Sequence, residues 1–209
     1  MGISIHDLPK HYPETQQFYS VIIDDDRIRT VVTKHSSTVD HWISRIYSDY
    51  NGVLDHLIVG LDLEWKPTYD RYRNQVATLQ LCVGRRCLIF QIKHADEIPS
   101  SLVEFLGDPD FTFVGVRIDE DIQKLDDDYD LEVGVAVDLR YLAADRYNSK
   151  ALKNAGLMGL AGIVLNYGDI EKPRHVTMSN WEDYWLSLDQ IKYACVDAYV
   201  SFEIGKELL

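Results

Sequence analysis

Cationic residues and cysteines are scarce in this chain of 209 residues. Its 34 Asp and Glu residues outnumber its 21 Lys and Arg residues, which gives a formal net charge of −13 at pH 7. Because contacts with phosphates need Lys and Arg, this deficit argues against a protein that grips nucleic acid broadly and non-specifically. The cysteines Cys82, Cys87 and Cys195 form no CxxC pair and are too few for a disulfide framework. We therefore expect a reducing intracellular compartment, the nucleus or the cytoplasm.

Long apolar runs and targeting segments are also missing. No apolar run approaches the roughly 18 residues that a membrane-spanning helix needs, so we expect no membrane association. The first residues lack the basic region and apolar stretch of a secretory signal. Repeats and long Pro/Gly/Ser-rich linkers are absent as well. We therefore expect residues 1–209 to form a single domain.

The apolar patterns predict an α/β protein with a central mixed sheet flanked by helices. A β-hairpin and a helix are expected near the N-terminus, over about residues 18–50. Further strands are predicted at 57–65, 75–83, 86–91, 111–116 and 135–139. Further helices are predicted at 99–106, 120–125, 139–145, 150–160 and 188–208. The acidic runs 24–26 and 126–128 are expected to be solvated turns.

The segment Leu61–Trp65 contains two carboxylates on a strand that is otherwise apolar. Side chains alternate faces along a strand, so Asp62 and Glu64 point the same way. Two buried carboxylates side by side repel each other and lose their hydration. A divalent cation is the usual compensation, so this segment predicts a metal site.

Two more acidic residues and a tyrosine lie where they can join this pair. Asp121 follows the strand predicted at 111–116, at the start of a helix, which is a common place for a functional side chain in α/β folds. Tyr193 and Asp197 are four residues apart on the last helix and therefore share one face. The candidate site residues are thus Asp62, Glu64, Asp121, Tyr193 and Asp197.

Three sequence blocks carry a family resemblance. The first consists of Asp62–Trp65 followed by Val76–Leu81, the second of Val114–Leu125, and the third of Ser179–Trp181 followed by Leu188–Tyr199. Each motif alone is common, but their order and apolar surroundings are specific. The set resembles the DEDDy-type 3′→5′ exonucleases of the DnaQ-like, ribonuclease H-like superfamily, particularly the Werner-syndrome-type exonuclease domains of plants. The blocks span about residues 57–205.

The resemblance implies a ribonuclease H-like fold and a two-metal hydrolysis of phosphodiester bonds at the 3′ ends of DNA, with RNA as the less favoured substrate. Two Mg²⁺ or Mn²⁺ ions, roughly 3.5–4 Å apart, activate water and stabilise the leaving oxygen in such sites. Asp62 would bridge both ions, Glu64 and Asp197 would complete the site of the ion that activates water, and Asp121 would support the second ion. Tyr193 would orient the attacking water, because a phenol with a pKa of about 10 is a poor base at neutral pH.

The position of Lys192 separates this chain from the sister subclass, which has a histidine five residues before the last aspartate. Structural interpretations stay open for each residue: Asp62 as a buried hydrogen-bonded acid, Asp121 as a helix N-terminal residue favoured by the dipole, and Tyr193 as a core tyrosine. Trp65 and Trp181 are expected to pack rather than to stack on bases.

Two positions depart from the family pattern, because Arg117 and Glu120 stand where relatives usually carry small residues. Together with the acidic charge they favour an alternative, a weakly active or inactive interaction protein that keeps the exonuclease fold. A small-molecule metallohydrolase on the same carboxylates is a third hypothesis. A homo-oligomer or a protein partner is also expected as a means of gaining substrate grip. The candidate cations for substrate contact are Lys66, Arg71, Arg73, Lys150 and Lys153.

Overall fold

Extended segments pair into one mixed sheet in the computed structural model, which describes residues 2–8, 16–52, 54–67, 74–168 and 173–209. Among the described residues the strands are β1 (Ile3–Asp7), β2 (Gln16–Ile23), β3 (Asp26–Thr33), β4 (Leu57–Glu64), β5 (Thr78–Val83), β6 (Arg86–Phe90), β7 (Phe111–Gly115) and β8 (Val135–Asp138). Their order across the sheet is β1-β2-β3-β6-β5-β4-β7-β8. This confirms the predicted α/β class with a mixed sheet.

The strand directions decide which residues meet at one edge of the sheet. β3 pairs parallel with β6, and β4 pairs parallel with β7, which pairs parallel with β8. β5 lies between β6 and β4 and is antiparallel to both. The carboxyl ends of β3, β6, β4, β7 and β8 therefore lie along one edge, which we call the carboxyl edge.

Helices cover both faces of this sheet. They are α1 (Ser36–Asp49), α2 (Ser100–Gly107), α3 (Ile118–Tyr129), α4 (Leu139–Arg146), α5 (Leu157–Val164), α6 (Arg174–Thr177) and α7 (Leu188–Leu208). One core contains buried residues of α1, α2 and α3, and the other contains those of α4, α5 and α7. Among the described residues, no helix is both long and apolar enough to cross a membrane.

The longest helix, α7, packs unusually close to the sheet at Gly60. A Cβ atom on Gly60 would lie 2.0 Å from the carbonyl oxygen of Ala198 and 2.7 Å from the backbone nitrogen of Phe202. Only a residue without a side chain therefore fits here. A Cβ on Gly205 would lie 2.8 Å from Val114 on β7, so the same helix also approaches the next strand closely.

Two expectations from the sequence are wrong, and one strand was not predicted. The expected helix over 150–160 is split into a 3₁₀ turn at Lys150–Asn154 and α5, because Ala155 and Gly156 are extended. The acidic run 126–128 lies within α3 rather than in a turn, and Asp128 accepts hydrogen bonds from the Val76 amide and the Lys124 ammonium. β1 was not anticipated at all.

Candidate active site

Strand β4 aims Asp62 and Glu64 at the face of the sheet that α7 covers. Leu61 and Leu63 point to the opposite face, where they join the core beneath α1, α2 and α3. Alternation along the strand therefore places Asp62 and Glu64 on the same side as Gly60, against which α7 packs. Both carboxylate residues are half-buried.

Helix α7 contributes the third carboxylate, and its first turn is firmly fixed. The Ser187 hydroxyl accepts a hydrogen bond from the Gln190 amide, and the Gln190 side chain accepts one from the Ser187 amide, which forms a capping box. The side-chain amide of Gln190 also donates hydrogen bonds, to the Ser179 hydroxyl and to the Asn180 carbonyl. The third sequence block thus anchors the helix that carries Tyr193 and Asp197.

Asp62, Glu64 and Asp197 meet in one group. Each offers a carboxylate oxygen, and these oxygens lie within 4.8 Å of one another. Asp197 is buried, with an exposed fraction of 3%. Hard cations such as Mg²⁺ and Mn²⁺ prefer carboxylate oxygens, and a cation between them would offset the repulsion of three adjacent negative charges. The donor set therefore fits a divalent cation.

Tyr193 lies beside this group, one helical turn before Asp197. Burial raises the pKa of Tyr193 above its usual value, and the charges of Asp197, Glu64 and Asp62 raise it further. A hydrogen bond to Asp197 acts in the same direction. The phenol therefore keeps its proton at neutral pH, so it can donate a hydrogen bond but cannot act as a base.

Asp121 lies in the first turn of α3 and is not a member of the group formed by the other three carboxylates. Burial raises its pKa to about 7, with smaller contributions from the charges of Glu120 and Asp138. The structure therefore brings together Asp62, Glu64, Asp197 and Tyr193, whereas the charges that act on Asp121 are those of Glu120 and Asp138.

Asp138, at the end of β8, is a buried acid that the sequence reasoning passed over. It caps α4 by accepting a hydrogen bond from the Arg140 amide, and it pairs with the Arg140 guanidinium at 2.6 Å. It also accepts a hydrogen bond from the amide of Arg117, which holds the left-handed residue before α3. An aspartate that ends a strand and begins a helix is the sequence signal that could have found it.

Gln80 and Thr78 on β5 are further polar residues that sequence reasoning left without a role. Gln80 pairs with Asp62 in the antiparallel ladder, and Thr78 pairs with Glu64. Paired residues share a face, so both stand beside the carboxylates. Gln80 is fully buried and donates a hydrogen bond of 2.6 Å to the Thr78 hydroxyl. This hydrogen bond fixes the two polar side chains that lie next to Asp62 and Glu64.

The side chains of Arg117 and Glu120 are exposed and face each other. Their charged atoms lie 3.8 Å apart, with 64% and 71% of the side chains accessible. Of the candidate cations, Lys66, Lys150 and Lys153 are exposed, and the Lys153 ammonium lies 5.3 Å from the ring centroid of Tyr141. Arg71 and Arg73 lie outside the described residues.

The two tryptophans of the sequence blocks are packing residues to different degrees. Trp181 is fully buried, and its ring centroid lies 6.0 Å from that of Tyr193, which confirms the expected packing role. Trp65 is half-buried, with the Lys124 ammonium 5.3 Å from its ring centroid.

Known proteins resemble this chain over most of its length. A sequence model described as a 3′-5′ exonuclease matches residues 30–209. A 3′-5′ exonuclease of Arabidopsis thaliana is 36% identical over 153 residues, which cover 72% of this chain and 52% of that protein. The bifunctional 3′-5′ exonuclease/ATP-dependent helicase WRN of Mus musculus is 33% identical over 153 residues, which cover 72% of this chain and 11% of that protein.

A solved structure agrees with these sequence matches. The EXD2 exonuclease domain soaked in Mg and GMP superposes with a TM-score of 0.51 at 27% identity, covering 86% of this chain and 87% of that chain. The chain thus spans about half, or much less, of the curated relatives named above, but most of the solved exonuclease domain.

Proposed function

The chain belongs to the 3′-5′ exonuclease family, and on that premise we propose that it hydrolyses phosphodiester bonds at the 3′ ends of DNA, with RNA as the second substrate class, and depends on divalent cations. The observation that carries the proposal is the group formed by Asp62, Glu64 and Asp197. Three carboxylates that converge in this way are costly to the fold, and a nuclease site gives them a use.

Asp62, Glu64 and Asp197 would hold one divalent cation, and Asp121 would support a second one, as in the DEDDy subclass. When bound, such cations activate a water and stabilise the leaving 3′ oxygen. Asp121 would contact that cation directly or through water. Mg²⁺ or Mn²⁺ would serve, since both prefer oxygen donors.

Tyr193 would orient the attacking water rather than remove its proton. Its hydroxyl stays protonated and donates its hydrogen bond to Asp197, so its oxygen can accept one from the attacking water, while its ring contacts Trp181. Orientation of a nucleophile next to the reacting bond lowers the entropic part of the barrier.

The test is digestion of DNA and RNA oligonucleotides labelled at the 3′ or the 5′ end, in Mg²⁺ and in Mn²⁺. We expect a ladder that shortens from the 3′ end for the wild-type protein and no ladder for Asp62→Ala or Asp197→Ala. Asp110→Ala is the matched control, because Asp110 is an exposed acid beside the amino end of β7, at the opposite edge of the sheet. Cleavage by Asp62→Ala at the wild-type rate would contradict the proposal.

Other outcomes identify the alternatives. A folded protein that cleaves no oligonucleotide and is not stabilised by Mn²⁺ would be an interaction protein on the exonuclease fold. Cleavage of a generic phosphodiester without cleavage of any oligonucleotide would indicate a small-molecule metallohydrolase. The pairing of Arg117 with Glu120, two exposed side chains, gives no support to a cation that blocks the carboxylate group.

A further inference from the structure

Two large aromatic side chains are exposed next to each other in the loop before α7. Tyr184 is 53% exposed and Trp185 is 57% exposed. Their ring centroids lie 5.1 Å apart with the planes nearly perpendicular, at 89°. The ammonium of Lys34 lies 2.8 Å from the centroid of Tyr184 and 4.2 Å from that of Trp185. We call Tyr184, Trp185 and Lys34 the aromatic platform.

The loop that carries Tyr184 and Trp185 is held by hydrogen bonds to residues that follow β6. The Gln91 side-chain amide donates to the carbonyls of Asp183 and Tyr184, at 3.1 Å and 3.3 Å. The Lys93 ammonium donates to the Glu182 carboxylate at 2.7 Å, and the His94 ring contacts the Glu182 carbonyl at 2.8 Å. Exposure of the two rings is therefore a property of an anchored loop.

Lys34 gives the aromatic platform a positive charge from beneath. The residue is only 8% exposed, and its ammonium makes no hydrogen bond to any described residue. The ring faces of Tyr184 and Trp185 stabilise the cation instead. Two acids precede the rings in the same loop, but Glu182 pairs with the Lys93 ammonium and Asp183 accepts a hydrogen bond from the Asn180 side chain, so Lys34 is the cation in contact with the rings.

A series of contacts connects the loop of the aromatic platform to the strand that carries Glu64. The Ala77 amide donates to the Glu64 carbonyl at 2.8 Å, and the Lys93 amide donates to the Ala77 carbonyl at 3.3 Å. Lys93 then pairs with Glu182, two residues before Tyr184. Two backbone hydrogen bonds and one ion pair therefore connect Glu64 to the loop.

A second connection runs through α7. Ser187, two residues after Trp185, caps the helix that carries Tyr193. Six residues separate Ser187 from Tyr193, which corresponds to about 9 Å along a helix axis. The first two turns of α7 therefore join the loop of Tyr184 and Trp185 to Tyr193 beside the carboxylates, and a strand that follows this part of α7 would meet both.

We propose that the aromatic platform stacks on bases of a single-stranded nucleic acid, on the 5′ side of the nucleotide that is removed. The proposal rests on the proposed exonuclease function and extends it to substrate positioning. Aromatic faces bind single strands without regard to sequence, because every base has a π-face. An exposed stacking surface compensates for the few cations of this protein, which limit its grip on phosphates.

The test measures binding separately from cleavage. A single-stranded oligonucleotide of twelve nucleotides, labelled with a fluorophore at its 5′ end, is titrated with protein in EDTA, and anisotropy gives Kd. We expect Trp185→Ala to raise Kd about 5- to 140-fold, the range that loss of one stacked base produces. Trp185→Phe should stay within about threefold of wild type, because it keeps a ring.

Tyr147→Ala is the matched control. Tyr147 is an exposed aromatic, at 44%, just after the last residue of α4, eight helical residues beyond the end of β8. Tyr147→Ala should bind the oligonucleotide with the wild-type Kd. An oligonucleotide with abasic sites at the second to fourth positions from its 3′ end should bind wild type and Trp185→Ala equally, since no base remains to stack.

The outcomes separate this proposal from the exonuclease itself. Equal Kd values for wild type and Trp185→Ala on the intact oligonucleotide would overturn the platform, even if the protein cleaves DNA. Binding that depends on Trp185 in a protein that cleaves nothing would keep the platform and overturn the exonuclease. A persistent difference on the abasic oligonucleotide would also overturn base stacking, and would indicate a contact with backbone or with a protein partner.

Tryptophan fluorescence of the wild-type protein tests the same contact without relying on Trp185→Ala. Trp185 is the exposed tryptophan among the four of the chain, so stacking should quench its fluorescence when the oligonucleotide binds. The quench should be absent in Trp185→Phe at saturating oligonucleotide. An equal quench in both proteins would contradict the proposed contact.

Discussion

Replacing Asp62 with asparagine should stabilise the metal-free protein and remove its response to divalent cations. The three carboxylates of the group lie within 4.8 Å of one another, so each carries two like-charged neighbours. Asparagine keeps the shape and an acceptor oxygen of Asp62 but removes the charge. The prediction thus isolates electrostatic repulsion from packing.

The size of the effect follows from the distance. At 4.8 Å, one pair of like charges costs about 3.5 kcal/mol at an effective dielectric constant near 20, and about 0.9 kcal/mol in water. Asp62 and Glu64 are half-buried, so the two contacts that Asp62 makes lie between these limits. Proton uptake sets a ceiling of about 4 kcal/mol, the cost of protonating an ordinary carboxyl at pH 7. We expect a gain of about 2–4 kcal/mol.

The assay is thermal unfolding in EDTA and in Mn²⁺. For a domain of this length, a gain of about 2–4 kcal/mol raises Tm by roughly 5–15 °C in EDTA. Mn²⁺ at about 100 times its Kd adds about 2.7 kcal/mol to the wild-type protein and should add almost nothing to Asp62→Asn. Asp110→Asn should change neither value, because this acid lies outside the group.

The result that would refute this reasoning is a Tm in EDTA that is unchanged or lowered by Asp62→Asn. It would mean that the three carboxylates do not repel each other in the folded protein, and that their convergence says nothing about a cation. A raised Tm with an intact Mn²⁺ response would contradict a role for Asp62 in holding the cation.

Three further substitutions probe how the fold supports the site. Gly60→Ala should lower the free energy of unfolding in urea by more than about 3 kcal/mol, because its Cβ would lie 2.0 Å from the Ala198 carbonyl oxygen and the helix backbone would have to move. A variant as stable as the wild type would contradict the close packing of α7. Ser187→Ala should cost about 1 kcal/mol in the same assay through loss of the helix cap, and no change would show that Gln190 alone holds the first turn. Tyr193→Phe should lower kcat about 100-fold in single-nucleotide release while leaving KM and the Mn²⁺ shift nearly unchanged; a rise in KM alone would instead indicate substrate binding.

The sequence predicted the central strands and α7 well because their apolar patterns are long and their periods are clear. β4, β5 and β6 were expected within a few residues of their observed bounds, and the alternation in β4 predicted the shared face of Asp62 and Glu64. The strand β1 escaped notice because its residues are mostly half-buried or exposed and alternate weakly. It is stabilised by pairing with Tyr19–Ile23 of β2, the next strand along the chain, and not by an apolar pattern of its own.

The parts of the site that sequence reasoning missed depend on tertiary contacts. Asp138, which was not predicted, accepts a hydrogen bond from the amide of Arg117, and no residue pattern predicts the left-handed conformation of Arg117 before α3. Tyr184 and Trp185 lie four residues or fewer from the buried Trp181, and only the folded loop reveals that they remain exposed. Composition and motif spacing carry no information on such exposure.

The carboxylate group is a consequence of how closely two backbones approach. Asp62 follows Gly60 by two strand residues, about 7 Å, and Asp197 precedes Ala198 by one helical residue. The contact between Gly60 and Ala198 therefore brings the two acids to opposite sides of one small space. Any side chain at position 60 would move α7 outward and separate Asp197 from Asp62, whatever hydrogen bonds the acids make. The same movement would carry the cap at Ser187 and the loop of Tyr184 and Trp185 with it, so packing at Gly60 should affect both cation binding and the grip on a single strand.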